Sequence, residues 1–328
     1  MTHARGRGDP WKTEERPVQD TPEKSAEPPP IGGRVALSDR EGFLAWAFLL
    51  PSVVYIVALV GVPFLLAIAF AFSDVTTGDP SYNFVGFKNF TAIFHDDVFW
   101  RSLLNTVIFT VISMALIVLF GKILANVLVA DFRGKWFVRM LVLLPWTTPV
   151  ALSSISWLWM LDSIYSPIDW VLRQLGLLNT NMYWLGHSKL AMASVIAVHV
   201  WRLTPLAAVI VMAGLVAIPK DIDEAARIDG AGFWRRMFEV TIPLTMPVIA
   251  VAALFGAIVT FTDMTVVYIL TRGGPTDSTQ VLASWAYFRG IEGGDVGQGA
   301  AIALFLFPLL LAGAILILRA VRRLEVLS

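Results

Sequence analysis

The sequence predicts an all-α membrane protein of six transmembrane helices with both termini in the cytoplasm. Three observations carry that prediction. Of the 328 residues, 56% are hydrophobic and 15% charged, with a mean hydropathy of +0.69; a soluble globular chain carries about 25% charged residues. Six windows long enough to cross the roughly 30 Å of hydrocarbon run nearly free of charge. The Lys and Arg residues concentrate in alternate loops. The 25 Lys+Arg are matched by 25 Asp+Glu, which leaves no net positive charge to displace counterions and argues against nucleic-acid binding. With no Cys in the chain, disulfides, iron–sulfur clusters and Cys-based zinc sites are excluded.

In chain order, residues 1–42 form a tail with six of the 18 prolines, seven Lys/Arg and eight Asp/Glu. Such a stretch buries too little apolar surface to offset chain entropy, so disorder is expected. No secretory signal is expected, because the apolar run starting at Phe43 is far longer than an h-region of about 7–15 residues. The spans read as 42–73, 102–121, 140–161, 190–219 (interrupted by Arg202), 240–271 (running past Asp263) and 296–318. The 130–136 and 217–242 loops, the tail and the C-terminus hold sixteen Lys/Arg, against four in the loops of the opposite side. The positive-inside rule therefore puts both termini in the cytoplasm. On the other side, the aromatics Tyr82, Phe84, Phe87, Phe90, Phe94 and Trp100 suggest a packed cap. Pro167–Leu175 reads as an amphipathic stretch lying in the interface, with Trp170 and Trp184 as anchors. Lys122, in span two, is expected to snorkel toward the headgroups.

The motifs of catalysis are missing. Gly121-Lys122 and Gly134-Lys135 are not followed by the Ser or Thr a phosphate-binding loop needs to hold Mg²⁺. The four His are scattered, and there is no Gly-x-Ser-x-Gly elbow. The chain is therefore not expected to be an enzyme, to bind a metal or to carry a cofactor of its own.

The loop between spans four and five is the most informative segment. Pro219 to Pro243 reads as a short helix with a stop: Asp221 or Asp223 is placed to cap its start, Ala225 and Ala226 leave a thin surface for close approach, and Gly230 breaks it. An ordinary connector is equally compatible with that shape. The sequence decides more. Glu224-Ala225-Ala226, Gly230 four residues later and the Val240-Thr-Ile-Pro243 ending resemble the EAA loop of ABC-importer permease subunits. The fuller Glu-Ala-Ala-x-Ile-Asp-Gly-Ala string, with Leu270-Thr-Arg-Gly-Gly-Pro275 after span five, is similar to the carbohydrate-uptake branch, of maltose and glycerol-phosphate type. The resemblance covers residues 43–328 and leaves the long polar tail outside it.

It implies a permease domain over 43–328 whose 217–242 loop docks onto a cytoplasmic ATP-binding subunit through Glu224, Ala225, Ala226, Asp229 and Gly230. ATP and Mg²⁺ would sit on that partner. A second permease chain, similar but distinct, an extracytoplasmic solute-binding protein and a sugar-like solute would complete a bacterial inner-membrane importer working by alternating access. The rivals are a permease of this kind for a non-sugar solute, an ion-coupled secondary transporter using Asp263, and a membrane-embedded enzyme.

Ionisable groups within spans are costly and are candidate functional residues. His199 and Arg202 share a face of span four, where Pro205 frees a carbonyl; Ala252, Gly256 and Thr260 make a small stripe on span five, followed by Asp263. The sequence suggests that these faces line a solute pathway, with Trp157 and Trp159 as stacking planes for a sugar ring. The alternatives are an Arg202–Asp263 ion pair locking two helices, a stripe that serves packing, which is the favoured reading of that stripe, and Trp side chains facing lipid.

Overall fold

The structure, a computed structural model, describes residues 41–79 and 81–327. The tail expected over 1–42 lies, but for its last two residues, outside them. The chain divides into two units, residues 1–58 and 59–328. Of the first unit, helix α1 (Glu41–Ile56) is described, and its residues from Ala45 on are all exposed and, but for Ser52, present an apolar surface suited to lipid. A π-turn at Val57–Gly61 follows.

The regular secondary structure of the second unit is helical among the described residues, with one isolated bridge, Ser73 to Phe84. Helix α2 (Val62–Ala71) is followed by α3 (Lys88–Phe94), α4 (Asp97–Val129), α5 (Lys135–Thr147), α6 (Val150–Met160) and α7 (Pro167–Gln174). Then come α8 (Ser188–Val216), α9 (Lys220–Ile228), α10 (Phe233–Arg236), α11 (Ile242–Thr262), α12 (Thr265–Leu270), α13 (Leu282–Tyr287) and α14 (Val296–Leu327). Five helical stretches are long and apolar enough to cross a membrane: 45–71, 97–129, 188–216, 233–262 and 296–319.

The expected third span is broken. Helices α5 and α6 meet at 94° across Thr148–Pro149, because a residue before proline is driven out of the helical region, and Thr148 is extended at φ −73°, ψ 136°. The fifth span is interrupted as well. Asp263 is extended, and its Oδ1 accepts from the backbone N–H groups of Thr265 (2.7 Å) and Val266 (3.2 Å), so its side chain ends α11 and starts α12.

Helix α8 is the central post, packed along α4, with α11, α5 and α12 around it. Phe109 and Ile117 of α4, Val195, Val198 and Leu203 of α8, and Val266 and Val267 of α12 are fully buried together. Small residues set the approach distances. A Cβ on Gly121 would stand 2.9 Å from Ala207 Cβ, and one on Gly299 only 2.3 Å from Gly290 Cα. Gly299→Ala is therefore expected to separate the start of α14 from the π-turn at Phe288–Glu292 and to cost about 1–3 kcal/mol or more as an overpacking change. A thermal melt in detergent that did not shift would refute this contact.

Two expectations at the ends of the bundle need correction. Lys122 does not snorkel: it is buried on the face of α4 that also buries Gly121 and Ala125, and its Nζ has no hydrogen-bond partner among the described residues. Trp184 is no free interfacial anchor either, since its Nε1 donates to the buried Asp169 carboxylate (2.7 Å), which also accepts from Met182 N–H (2.8 Å). This fastens α7 to the loop that leads into α8, and of the two Trp residues only Trp170 stays exposed. Of the aromatics expected to form a cap, Phe87, Phe90 and Phe94 join Phe72, Phe99 and Phe305 in a chain of ring contacts at 5.1–5.9 Å. Trp100 reaches it through Phe99 and Phe84 through Phe72, whereas Tyr82 is exposed and makes no ring contact among the described residues. At the other end, Arg139 donates to the Leu128 carbonyl (2.6 Å), covering the C-terminus of α4. The hydrogen bond from Lys135 holds the Asp131 carboxyl below its ordinary value.

Candidate functional site

The loop between α8 and α11 is built as a projecting bracket. No residue of α9 is buried, and Ile222 and Ile228 are exposed. The helix stops because Gly230 takes φ +75°, where a side chain is disfavoured. Gly230 N–H reaches the Arg227 carbonyl (3.0 Å) and Ala231 N–H the Ala226 carbonyl (2.9 Å), a Schellman closure. Asp221 and Asp223 do not cap the N-terminus, whose cap position is Pro219 with no side-chain bond. Asp223 lies a full turn further in and is spent otherwise: it accepts from Arg227 (3.0 Å) on its own helix and from Arg236 (2.9 Å) on α10. That second bond was not legible in sequence spacing, and it fixes the angle between α9 and the helix leading into α11. Glu224, Ala225 and Asp229 are exposed, as is Gly230, while Ala226 is half-buried.

Deeper in the bundle, four of the five residues picked for the solute pathway come together. His199 Nε2 and Thr260 Oγ1 are 2.9 Å apart and both residues are fully buried. Arg202 Nη2 donates to Asp263 Oδ2, the same oxygen that lies 3.5 Å from His199 Nδ1. The two faces therefore meet each other across the α8–α11 contact. Every oxygen of Asp263 is engaged, one by the cap of α12 and the other by Arg202, while His199 Nδ1 stands nearby without a hydrogen-bond partner among the described residues. The small stripe packs as well: Ala252 is buried with Ala125 and Val211, and a Cβ on Gly256 would meet Met114 Sδ at 3.1 Å. Trp157 stands apart from the four, edge-on to Trp201 at 5.4 Å, and Trp159 is exposed. Among the described residues, no three His, Asp or Glu are arranged to hold a metal ion.

At the end opposite α9, the Leu270-to-Pro275 string opens a tight turn with Arg272, Gly273, Thr276 and Asp277 all at positive φ. Gly273 sits at φ +85°, where a side chain is strained, and a Cβ there would also displace the buried Gln280 side chain. The turn is held from α4: Asn105 Nδ2 donates to the carbonyls of Asp277 (3.1 Å) and Gln280 (3.0 Å), and Arg101 to that of Thr276 (2.7 Å). Sequence reasoning missed these anchors, which lie some 170 residues from the turn.

Residues 117–326, which hold the bracket, the buried cluster and the tight turn, match the family described as the binding-protein-dependent transport system inner membrane component. The chain belongs to this family. As such an inner membrane component, it is a multi-pass protein of a binding-protein-dependent transport system. It is 32% identical over 288 residues to the sulfoquinovosyl glycerol transport system permease protein SmoG of Agrobacterium fabrum, covering 87% of this chain and 92% of that one. It is likewise 32% identical over 283 residues to the trehalose/maltose transport system permease protein MalF of Thermococcus litoralis, covering 86% and 95%. The diacetylchitobiose uptake system permease protein DasB of Streptomyces coelicolor is 29% identical over 300 residues, 90% of this chain and 92% of that one. In fold, the inner membrane component resembles a chain in the crystal structure of a bacterial ABC transporter that imports the acidic polysaccharide alginate, with a TM-score of 0.74 over 88% of this chain and 99% of that one at 20% identity.

Proposed function

We propose that this inner membrane component is one permease subunit of an ATP-driven, binding-protein-dependent importer of a sugar or sugar-like solute. The observation that carries the reading is the bracket: an amphipathic helix with no buried residue, which follows α8 in the chain and is tied by the Asp223–Arg236 bond to α10, the start of the helix that leads into α11. Such a helix buries no residue within its own unit and is placed to transmit a push from a partner into α8 and α11. Glu224, Ala225, Ala226, Asp229 and Gly230 present it to a cytoplasmic ATP-binding subunit, which holds the ATP and Mg²⁺. Both termini and α9 lie in the cytoplasm, in keeping with the sixteen-to-four bias of Lys and Arg. A second permease chain supplies the other half of the pathway. The sugar-transport names of the relatives support the solute class.

His199, Arg202, Thr260, Asp263 and Trp157 belong in this reading to the solute pathway, as a closed polar constriction that parts when α8 and α11 separate. Ion-coupled transport is the weaker reading because its one carboxylate, Asp263, is already bound by Arg202 and by two N–H groups of α12. Co-purification in mild detergent from the native organism tests the assembly. An ATPase subunit and a second permease chain are expected with the wild-type protein; a well-folded chain that brings down neither would move ion-driven transport to the front.

A further inference from the structure

Between the outer ends of α4 and α8 and the 271–281 turn lies an open depression of about 570 Å³. Its lining includes two cationic side chains, Arg101 and Lys189, and no Asp or Glu. Arg101 donates through one nitrogen to the Thr276 carbonyl and keeps its remaining donors. Lys189 makes no ion pair or hydrogen bond among the described residues and is exposed. Ser278 also lines the depression, and its Oγ is buried with no partner, a hydroxyl left unsatisfied within the protein. Ile108 and Met192 add an apolar patch. Asn105, largely buried and doubly bonded to the turn, keeps the wall rigid. Two cations with free donors and a small apolar surface in a space of this size suit a sugar-sized molecule bearing one negative group. Ten residues along α8 from Lys189, about 15 Å at helical rise, stands His199 of the buried cluster.

We propose that this depression is an extracytoplasmic vestibule that selects a solute carrying a carboxylate, sulfonate or phosphate group on its way to the pathway between α8 and α11. The inference rests on the importer reading and narrows its solute class to anionic sugars. An anionic lipid headgroup offers the same chemistry, so the test separates the two sources.

The full transporter, with its partner chains, is placed in nanodiscs of phosphatidylcholine alone. Binding of D-glucuronate and of D-glucose is then measured at matched ionic strength. Saturable binding of glucuronate with none of glucose is expected, weakened about tenfold by Lys189→Gln and further by Arg101→Gln with Lys189→Gln. Lys189→Gln alone keeps the test sound if the Arg101 change loosens the turn. Equal behaviour of the two sugars, or glucuronate binding unchanged in Lys189→Gln, overturns the proposal. So does a phosphatidylglycerol-dependent stabilisation that needs Lys189 while glucuronate has no effect, since the headgroup is then the ligand. ATP-driven uptake of sugars is followed in parallel vesicles. Uptake that is intact but indifferent to anionic charge sinks the vestibule and leaves the importer standing. Absence of ATP-driven uptake of any sugar sinks the importer, whatever glucuronate does.

Discussion

Glu224→Lys is expected to strip the ATP-binding subunit from a chain that is still folded and inserted. Glu224 is exposed on a helix with no buried residue and makes no hydrogen bond or ion pair among the described residues, so reversing its charge removes nothing that holds the bundle together. At a docking surface, the same reversal places like against like or leaves a partner cation unpaired. That is worth about 2–5 kcal/mol, or thirtyfold and more in affinity. Gly230→Asp should act by another route. Nothing lies within 4 Å of its missing Cβ, but the backbone at φ +75° disfavours a side chain by about 1 kcal/mol, so the Schellman closure loosens and α9 frays at the end it presents. Asp223→Ala should fall between the two, because it frees the angle of α9 relative to α10 without touching the presented face. Recovery of the ATPase subunit, normalised to membrane-inserted chain, reads all three. If Glu224→Lys retains wild-type recovery, the docking role of the bracket is wrong.

The second large effect lies at the α8–α11 contact. Removing one partner of a buried ion pair leaves an uncompensated charge and costs about 3–5 kcal/mol, whereas replacing both by apolar groups of similar volume is often nearly neutral. Arg202→Met should therefore destabilise the chain severely, and Asp263→Leu more severely still, because Asp263 also starts α12 through the Thr265 and Val266 N–H groups. The double variant Arg202→Met with Asp263→Asn should regain much of the loss, since an Asn side-chain oxygen still accepts from those N–H groups. If the pair serves only to lock the helices, the recovered double variant transports normally. If it forms part of the solute pathway, folding returns without transport. A thermal melt beside an uptake assay in the same vesicles separates these outcomes, and a double variant no more stable than Arg202→Met would contradict the pairing itself.

The helical spans were plain in the sequence, because a membrane helix announces itself by twenty uncharged residues, a local property. The juxtaposition of His199, Arg202, Thr260 and Asp263 could be suspected on the same grounds, since a charge in hydrocarbon needs a partner and few were available. What escaped were features set by a neighbour distant in the chain or by a local competition between side chain and backbone. The 94° break at Thr148–Pro149 sits inside an uninterrupted apolar run, and only the proline pair at 145 and 149 hinted at it. Asp223 has the residue type and position of a cap, yet Arg236, thirteen residues on, takes its carboxylate. Trp184 had the composition of an interfacial anchor until Asp169 claimed its N–H. Lys122 looked like a snorkelling side chain because hydropathy does not reveal which way a helix face turns.

The strap from Asn105, Thr106 and Arg101 to the 271–282 segment bears on how the protein is made. These donors and acceptors sit on the second long helix to be synthesised, while the backbone they hold arrives some 170 residues later. While the intervening helices enter the membrane, that end of α4 displays polar groups meant for a turn that does not yet exist, and water or the insertion machinery must satisfy them. Closure comes only when the Leu282 N–H reaches Thr106 Oγ1 at 2.9 Å. A chain truncated before α13 would thus carry most of its spans and still present an unfinished rim.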